Sequence, residues 1–227
     1  AALTTAEQHY SAERVGRGGV GQAGVALFPF TAAIDDWSMT SRAAPTTDAL
    51  SSLTVTAAGE GFSYRLDLDA TGPLVLQGDR GYSVKSAQGQ ASYYYSQPFF
   101  AVKGTITVEG KEIAVTGKAW FDHEWSSQPL SKDQTGWDWF SFHFADGTKL
   151  MGFRLRDAGE GFTSATWIAT DGTAEPIAPS APARFSTTTV CLRRSAKRCP
   201  MMREAVSVGP PAGKGTTSLM VLSGALP

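Results

Sequence analysis

An all-β fold is predicted for this chain, an antiparallel meander that closes as a barrel or packs as a sandwich, and three observations predict it. Short apolar runs alternate with polar residues between positions 50 and 178, glycine-containing turn signals separate those runs, and no stretch carries three turns of helical periodicity. Hydrophobic residues make up 42% of the 227 and charged residues 18%, a balance that builds a packed core.

Taken in order, residues 1 to 49 read as less regular. Within them Gly16-x-Gly18-x-x-Gly21 has the letters of a dinucleotide fingerprint. No apolar strand precedes it and Pro29 soon follows, so a glycine-rich strand or turn is expected in place of a phosphate cradle. Phe62, Tyr64, Leu66 and Leu68 then alternate with Ser63, Arg65, Asp67 and Asp69, the pattern of a half-buried strand. Further strands are expected at Leu74-Val75-Leu76, from Phe99 to Val108 and from Ile113 to Trp120. Turns are expected at Gly59-Glu60-Gly61, Glu109-Gly110, Asp146-Gly147 and Asp171-Gly172. A two-residue turn at Asp146-Gly147 sets Phe144 opposite Lys149, Phe142 opposite Met151 and Phe140 opposite Phe153. The other face then pairs His143 with Leu150, Ser141 with Gly152, Trp139 with Arg154 and Trp137 with Arg156.

Charge divides the chain. Positions 1–185 carry 14 Lys/Arg and 20 Asp/Glu, whereas positions 186–227 carry six bases and one acid and no aromatic residue. The expected organisation is one β domain over 1–185 and a basic, poorly structured tail over 186–227, which holds Cys191 and Cys199. The net charge of -1 argues against nucleic acid as a partner, and no apolar run reaches the ~18 residues of a membrane span. The chain begins Ala1-Ala2-Leu3, so a targeting peptide is either removed or lies outside it.

The densest chemistry lies in Trp120-Phe121-Asp122-His123-Glu124-Trp125 and in Gly136-Trp137-Asp138-Trp139-Phe140. Strand parity puts Phe121, His123 and Trp125 on one face and Trp120, Asp122 and Glu124 on the other. Adjacent His123 and Glu124 therefore cannot hold one ion, and no metal site is expected. Titratable groups among tryptophans are either hydrogen-bonded into a structural knot or tuned for proton transfer, and spacing alone leaves both open.

These strings, with Ser92-Tyr93-Tyr94-Tyr95-Ser96-Gln97-Pro98, Glu13-Arg14 and Asp35-Asp36-Trp37-Ser38, resemble the AttH/carotenoid 1,2-hydratase family over roughly residues 3 to 178. The resemblance implies a lipocalin-like fold, a periplasmic or secreted location and a cofactor-independent hydratase or hydrolase. The substrate would be an apolar terpenoid or lipid-like small molecule. Alkene hydration needs an acid, aromatic faces that tolerate a cation, and a positioned water with a base. The family's His-x-Trp pair falls on His123 and Trp125. Asp122, His123 and Glu124 are the catalytic candidates, and Trp125, Trp137, Trp139, His143 and Arg154 the substrate-binding ones. Three departures from the family pattern stand out, the first being that the tryptophan-rich segment expected ahead of Leu3-Thr4-Thr5 is not found in this sequence. The family's second barrel is replaced by the basic tail, and its downstream Tyr-x-Asp pair is replaced by Phe153 and Leu155. A non-catalytic lipocalin-type carrier of an apolar ligand and an isomerase or cyclase are the competing readings.

Overall fold

The computed structural model describes residues 1–128 and 130–177 and the backbone of one strand further on. The strands in chain order are β1 (Ala2–Thr4), β2 (His9–Ser11), β3 (Ala23–Leu27), β4 (Phe30–Ile34), β5 (Trp37–Ser41), β6 (Ser52–Gly59), β7 (Phe62–Ala70) and β8 (Val75–Leu76). They continue as β9 (Tyr82–Val84), β10 (Ala91–Val108), β11 (Lys111–Trp125), β12 (Gly136–His143), β13 (Lys149–Arg156), β14 (Phe162–Ile168), β15 (Ala174–Ile177) and β16 (Thr216–Ser223). There is no helix among the described residues, and the registered strand pairs are antiparallel. The fold is all-β, and the sheets of the described residues are open. Cys191, Cys199 and the expected domain boundary at 185 lie outside the described residues.

The chain divides into two compact units. The first is built from Ala1–Pro73 and Gln97–Trp120, with the end of β16. In it the strands run β11-β10-β7-β6-β5-β4-β3, and β16 lies beside β11. The alternation predicted for β7 is present: Phe62, Leu66 and Leu68 are buried, and Arg65 between them is exposed. Residues 1 to 49, expected to be less regular, contain five strands. Their pattern is faint because β3 ends the sheet with Val25 and Leu27 more than two-thirds exposed, so no face of it has an apolar period. Arg14 explains the string around Asp35: its guanidinium pairs with Asp35 and Asp36 and lies 4.6 Å over the Trp37 ring. The Glu109-Gly110 turn links β10 to β11 with φ of 47° and 77°, the positive angles a two-residue type I′ turn requires.

The second unit begins at Leu74–Ser96 and resumes at Phe121. The first six residues of β10 pair with β8 and β9, while β12, β13, β14 and β15 form a four-stranded sheet in that order. Here the expected hairpin register is corrected. Phe144 N–H donates to Thr148 O at 3.0 Å and Gly147 N–H to Phe144 O at 3.1 Å, so the loop has three residues and Gly147 alone takes positive φ. The cause is Thr148: Asp146 Oδ1 accepts from its N–H at 3.0 Å and its hydroxyl at 2.6 Å, which favours a type I turn with a glycine bulge. Asp171-Gly172 closes β14 to β15 in the same way.

The register therefore slips by one, with Trp139 opposite Phe153, Ser141 opposite Met151, His143 opposite Lys149 and Trp137 opposite Leu155. Phe140 and Phe142 fall opposite Gly152 and Leu150, on the other face from Met151, Phe153 and Leu155. Arg154 faces Asp138 instead of Trp139. A one-residue slip reassigns every cross-strand pair, and the tryptophan face becomes the core face of this hairpin.

Candidate functional site

Within the second unit, β10 and β11 carry two different surfaces back to back. Ser92, Tyr94, Ser96, Asp122 and Glu124 belong to one face; Tyr93, Tyr95, Phe121, His123 and Trp125 belong to the other. Side-chain contacts establish both sets, and the parity expected from the sequence holds.

The inner face is polar and buried. Ser96, fully buried, donates to Asp122 Oδ1 at 2.5 Å and accepts from Gln77 Nε2 at 2.9 Å. Trp139 Nε1 donates to the Tyr94 hydroxyl at 3.1 Å, and Tyr94 is in turn hydrogen-bonded to Ser96. An indole N–H only donates and a carboxylate only accepts, so the order of donors is fixed from Trp139 through Tyr94 and Ser96 to Asp122. Burial, with Asp122 and Glu124 nearby, pushes the Tyr94 phenol well above its usual range and keeps it protonated. Ser92 donates to Glu124, and Lys85 Nζ lies 2.7 Å from Glu124 Oε1. The same ammonium sits 4.0 Å over the Phe153 ring and 4.8 Å over Tyr94. Lys85 follows directly on β9, and its N–H bond to Gln90 O at 2.6 Å closes the loop back onto β10. Desolvation lowers the Lys85 pKa, with Glu124 acting against that shift.

The outer face is an aromatic surface that opens to solvent around Tyr93 and Trp125, while Phe121 on the same face is buried. His123 lies 5.1 Å from Trp125 and 5.3 Å from Tyr95, ring centre to ring centre. Tyr93 stacks on Trp125 at 5.6 Å, and Tyr82 meets Tyr93 edge-on. Trp125 is 43% exposed and Tyr93 55%. Partial burial lowers the His123 pKa, which favours the neutral imidazole.

With this geometry in place, the AttH-like family model matches residues 1–205. The chain belongs to the AttH-like family. Solved structures similar to it include the following two. An AttH protein of Nitrosomonas europaea is 35% identical with a TM-score of 0.59, covering 66% of this chain and 46% of its own. Kievitone hydratase of Nectria haematococca is 19% identical with a TM-score of 0.52, covering 64% of this chain and 44% of its own, a likeness of fold alone. The AttH-like chain thus spans less than half the length of either neighbour. The comparison with curated proteins returns no match.

The expected site residues in this AttH-like chain divide into four groups. Asp122, Glu124 and Trp139 come together on the inner face, where Tyr94, Ser96 and Lys85 join them. His123 and Trp125 stand on the outer face, so Asp122 and His123 do not converge on one reacting atom. Trp137 and His143 share the Trp139 side of β12, with His143 opposite Lys149. Arg154 lies on the opposite side of β13, next to the Asp138–Arg156 ion pair of 2.7 Å. Tyr94, Ser96 and Lys85 were missed as site residues. The alternation Ser92-Tyr94-Ser96 was readable in the sequence, but Lys85 gives no signal because its partner Glu124 is distant along the chain. Among the described residues no group of three His, Cys, Asp or Glu is placed to hold a metal, and no helix is long and apolar enough to cross a membrane.

Proposed function

We propose that the chain is a cofactor-independent, hydratase-like enzyme acting on an apolar, terpenoid- or lipid-like substrate, with its chemistry on the His123 face. The observation that carries this reading is the His123 imidazole packed against the Trp125 and Tyr95 rings on an accessible aromatic surface, where partial burial lowers its pKa. A neutral His123 accepts a proton from water as it adds, and the faces of Trp125, Tyr93 and Tyr95 stabilise positive charge building on the substrate. Tyr95 supplies a phenol on the same face as the proton donor. Asp122 and Glu124 support the strands from behind through Ser96, Ser92 and Lys85 and are not assigned proton transfer to substrate.

The test is incubation of the protein with a panel of carotenoids and terpenoids in isotopically labelled water. Product carrying one added labelled water, lost in His123→Ala and reduced in Tyr95→Phe, is the expected result. Tight binding of a panel member by Trp125 quenching with no water added would leave a lipocalin-type carrier. That second reading is favoured by the engagement of both carboxylates in internal bonds.

A further inference from the structure

The inner face holds an arrangement that the hydration reading does not use. Lys85 Nζ is 2.7 Å from Glu124 Oε1, and Glu124 also accepts from Ser92. The Lys85 side chain is 17% exposed and that of Glu124 32%, so the pair stands at the margin of the interior and not in its depth. The nitrogen is flanked by the faces of Phe153 and Tyr94 at 4.0 and 4.8 Å. An amine in this position has Glu124 as a proton acceptor, the cation-tolerant faces of Phe153 and Tyr94 beside it, and the Asp122 carboxylate near enough to favour its charge.

We propose that Lys85 captures an apolar aldehyde as a Schiff base, with Glu124 shuttling the protons. The step balances without a further reactant. Glu124 takes one proton from the ammonium, and the freed nitrogen lone pair attacks the carbonyl carbon. The carbonyl π electrons pass to oxygen, which takes that proton back from Glu124 and becomes the hydroxyl of a carbinolamine. A second proton, from nitrogen by way of Glu124, lets that hydroxyl leave as water, and the C=N bond forms. The product imine, when protonated, places its positive charge where the ammonium sat, against Glu124 and between the Phe153 and Tyr94 rings. Desolvation favours the reaction, since it lowers the ammonium's hold on its proton. The substrate class follows from the walls: an aldehyde on an aliphatic or polyene chain, with no second charge to place in the interior.

The experiment uses the full chain with decanal and with retinal, cyanoborohydride trapping, intact mass and peptide mapping. One reduced adduct per chain is expected, on Lys85, at aldehyde concentrations that leave the exposed Lys103, Lys111 and Lys118 unmodified. With retinal, a red-shifted absorption band should mark the protonated imine. Glu124→Gln should lower the trapping rate at least tenfold and weaken that band, whereas Lys118→Arg should change neither. Mapping on the unmodified sequence needs no variant to fold. Adducts spread over the exposed lysines with Lys85 spared would overturn the proposal, as would an equal trapping rate in Glu124→Gln. Trapping is read independently of water addition, so failure here and failure of the hydration reading are separate results.

Discussion

Ser96→Ala is the sharpest probe of the inner face. Ser96 is fully buried and serves three partners: the Asp122 carboxylate at 2.5 Å, Gln77 Nε2 at 2.9 Å, and Tyr94. Removing the hydroxyl loses a hydrogen bond to a charged group, worth about 1.5–3 kcal/mol, and strands a buried amide donor at about 1–3 kcal/mol. The partners are shared, so the losses do not simply add, and about 3 kcal/mol is expected. For a chain of this size each kcal/mol moves the midpoint by about 2–4 °C, which gives a fall of roughly 10 °C. Four tryptophans, Trp125, Trp137, Trp139 and Trp167, lie in the second unit, so their fluorescence during urea and thermal unfolding follows the affected region. Ser38→Ala serves as the comparison, because it removes only a half-buried bond to Thr56 at 2.9 Å and should cost about 1 kcal/mol or less. A cycle with Asp122→Ala should show coupling above about 1 kcal/mol. If Ser96→Ala costs no more than Ser38→Ala, the inner network is not holding the strands and the argument for it fails.

Three further outcomes follow from the geometry. Stability should fall as pH drops below the ordinary histidine value of 6.5. Burial lowers the folded-state pKa of His123, so the unfolded chain binds the proton more readily there, and His123→Gln should flatten that part of the pH–stability curve. Gly147→Ala should destabilise the β12–β13 hairpin by about 1–2 kcal/mol, since φ is +90° and the new methyl would lie 3.0 Å from Thr170 Cγ2; Gly147→Asn should be milder in a thermal melt. Trp125→Ala should abolish binding of an apolar ligand to the outer face while moving the midpoint little, because the ring is 43% exposed; a collapse of the fold would contradict its placement on an open surface.

The sequence made the alternation of residues 120 to 125 legible because strand parity is a local property. Both faces could be read from the order of side chains, and the contacts of Tyr95 with His123 and of Ser96 with Asp122 agree with it. The β12–β13 register was not legible in the same way. The Asp-Gly pair signals a turn, but turn length depended on Thr148 bonding back to Asp146, and that choice decided which face Trp139 shares. Lys85 was invisible for a different reason. A buried lysine looks like any surface lysine until the chain folds Glu124 against it. The early strands escaped notice because β3 exposes nearly every side chain, leaving no apolar period.

Back-to-back faces on β10 and β11 make the string Asp122-His123-Glu124-Trp125 a constraint on spacing more than on composition. Replacing one member alters the contacts on its own face only. Deleting or inserting a single residue ahead of it would turn every later side chain over, bringing imidazole and indole into the polar interior and sending the carboxylates out to solvent. Lys85 would lose its counter-ion and Ser96 its acceptor in the same event. Sequence change in this segment is therefore expected to proceed by substitution, and length variation to collect in the loops between strands. Engineering of the outer face should obey the same limit: new side chains at 93, 95, 123 and 125 are separable changes, whereas any loop graft that shifts the frame of β11 exchanges the two chemistries at once.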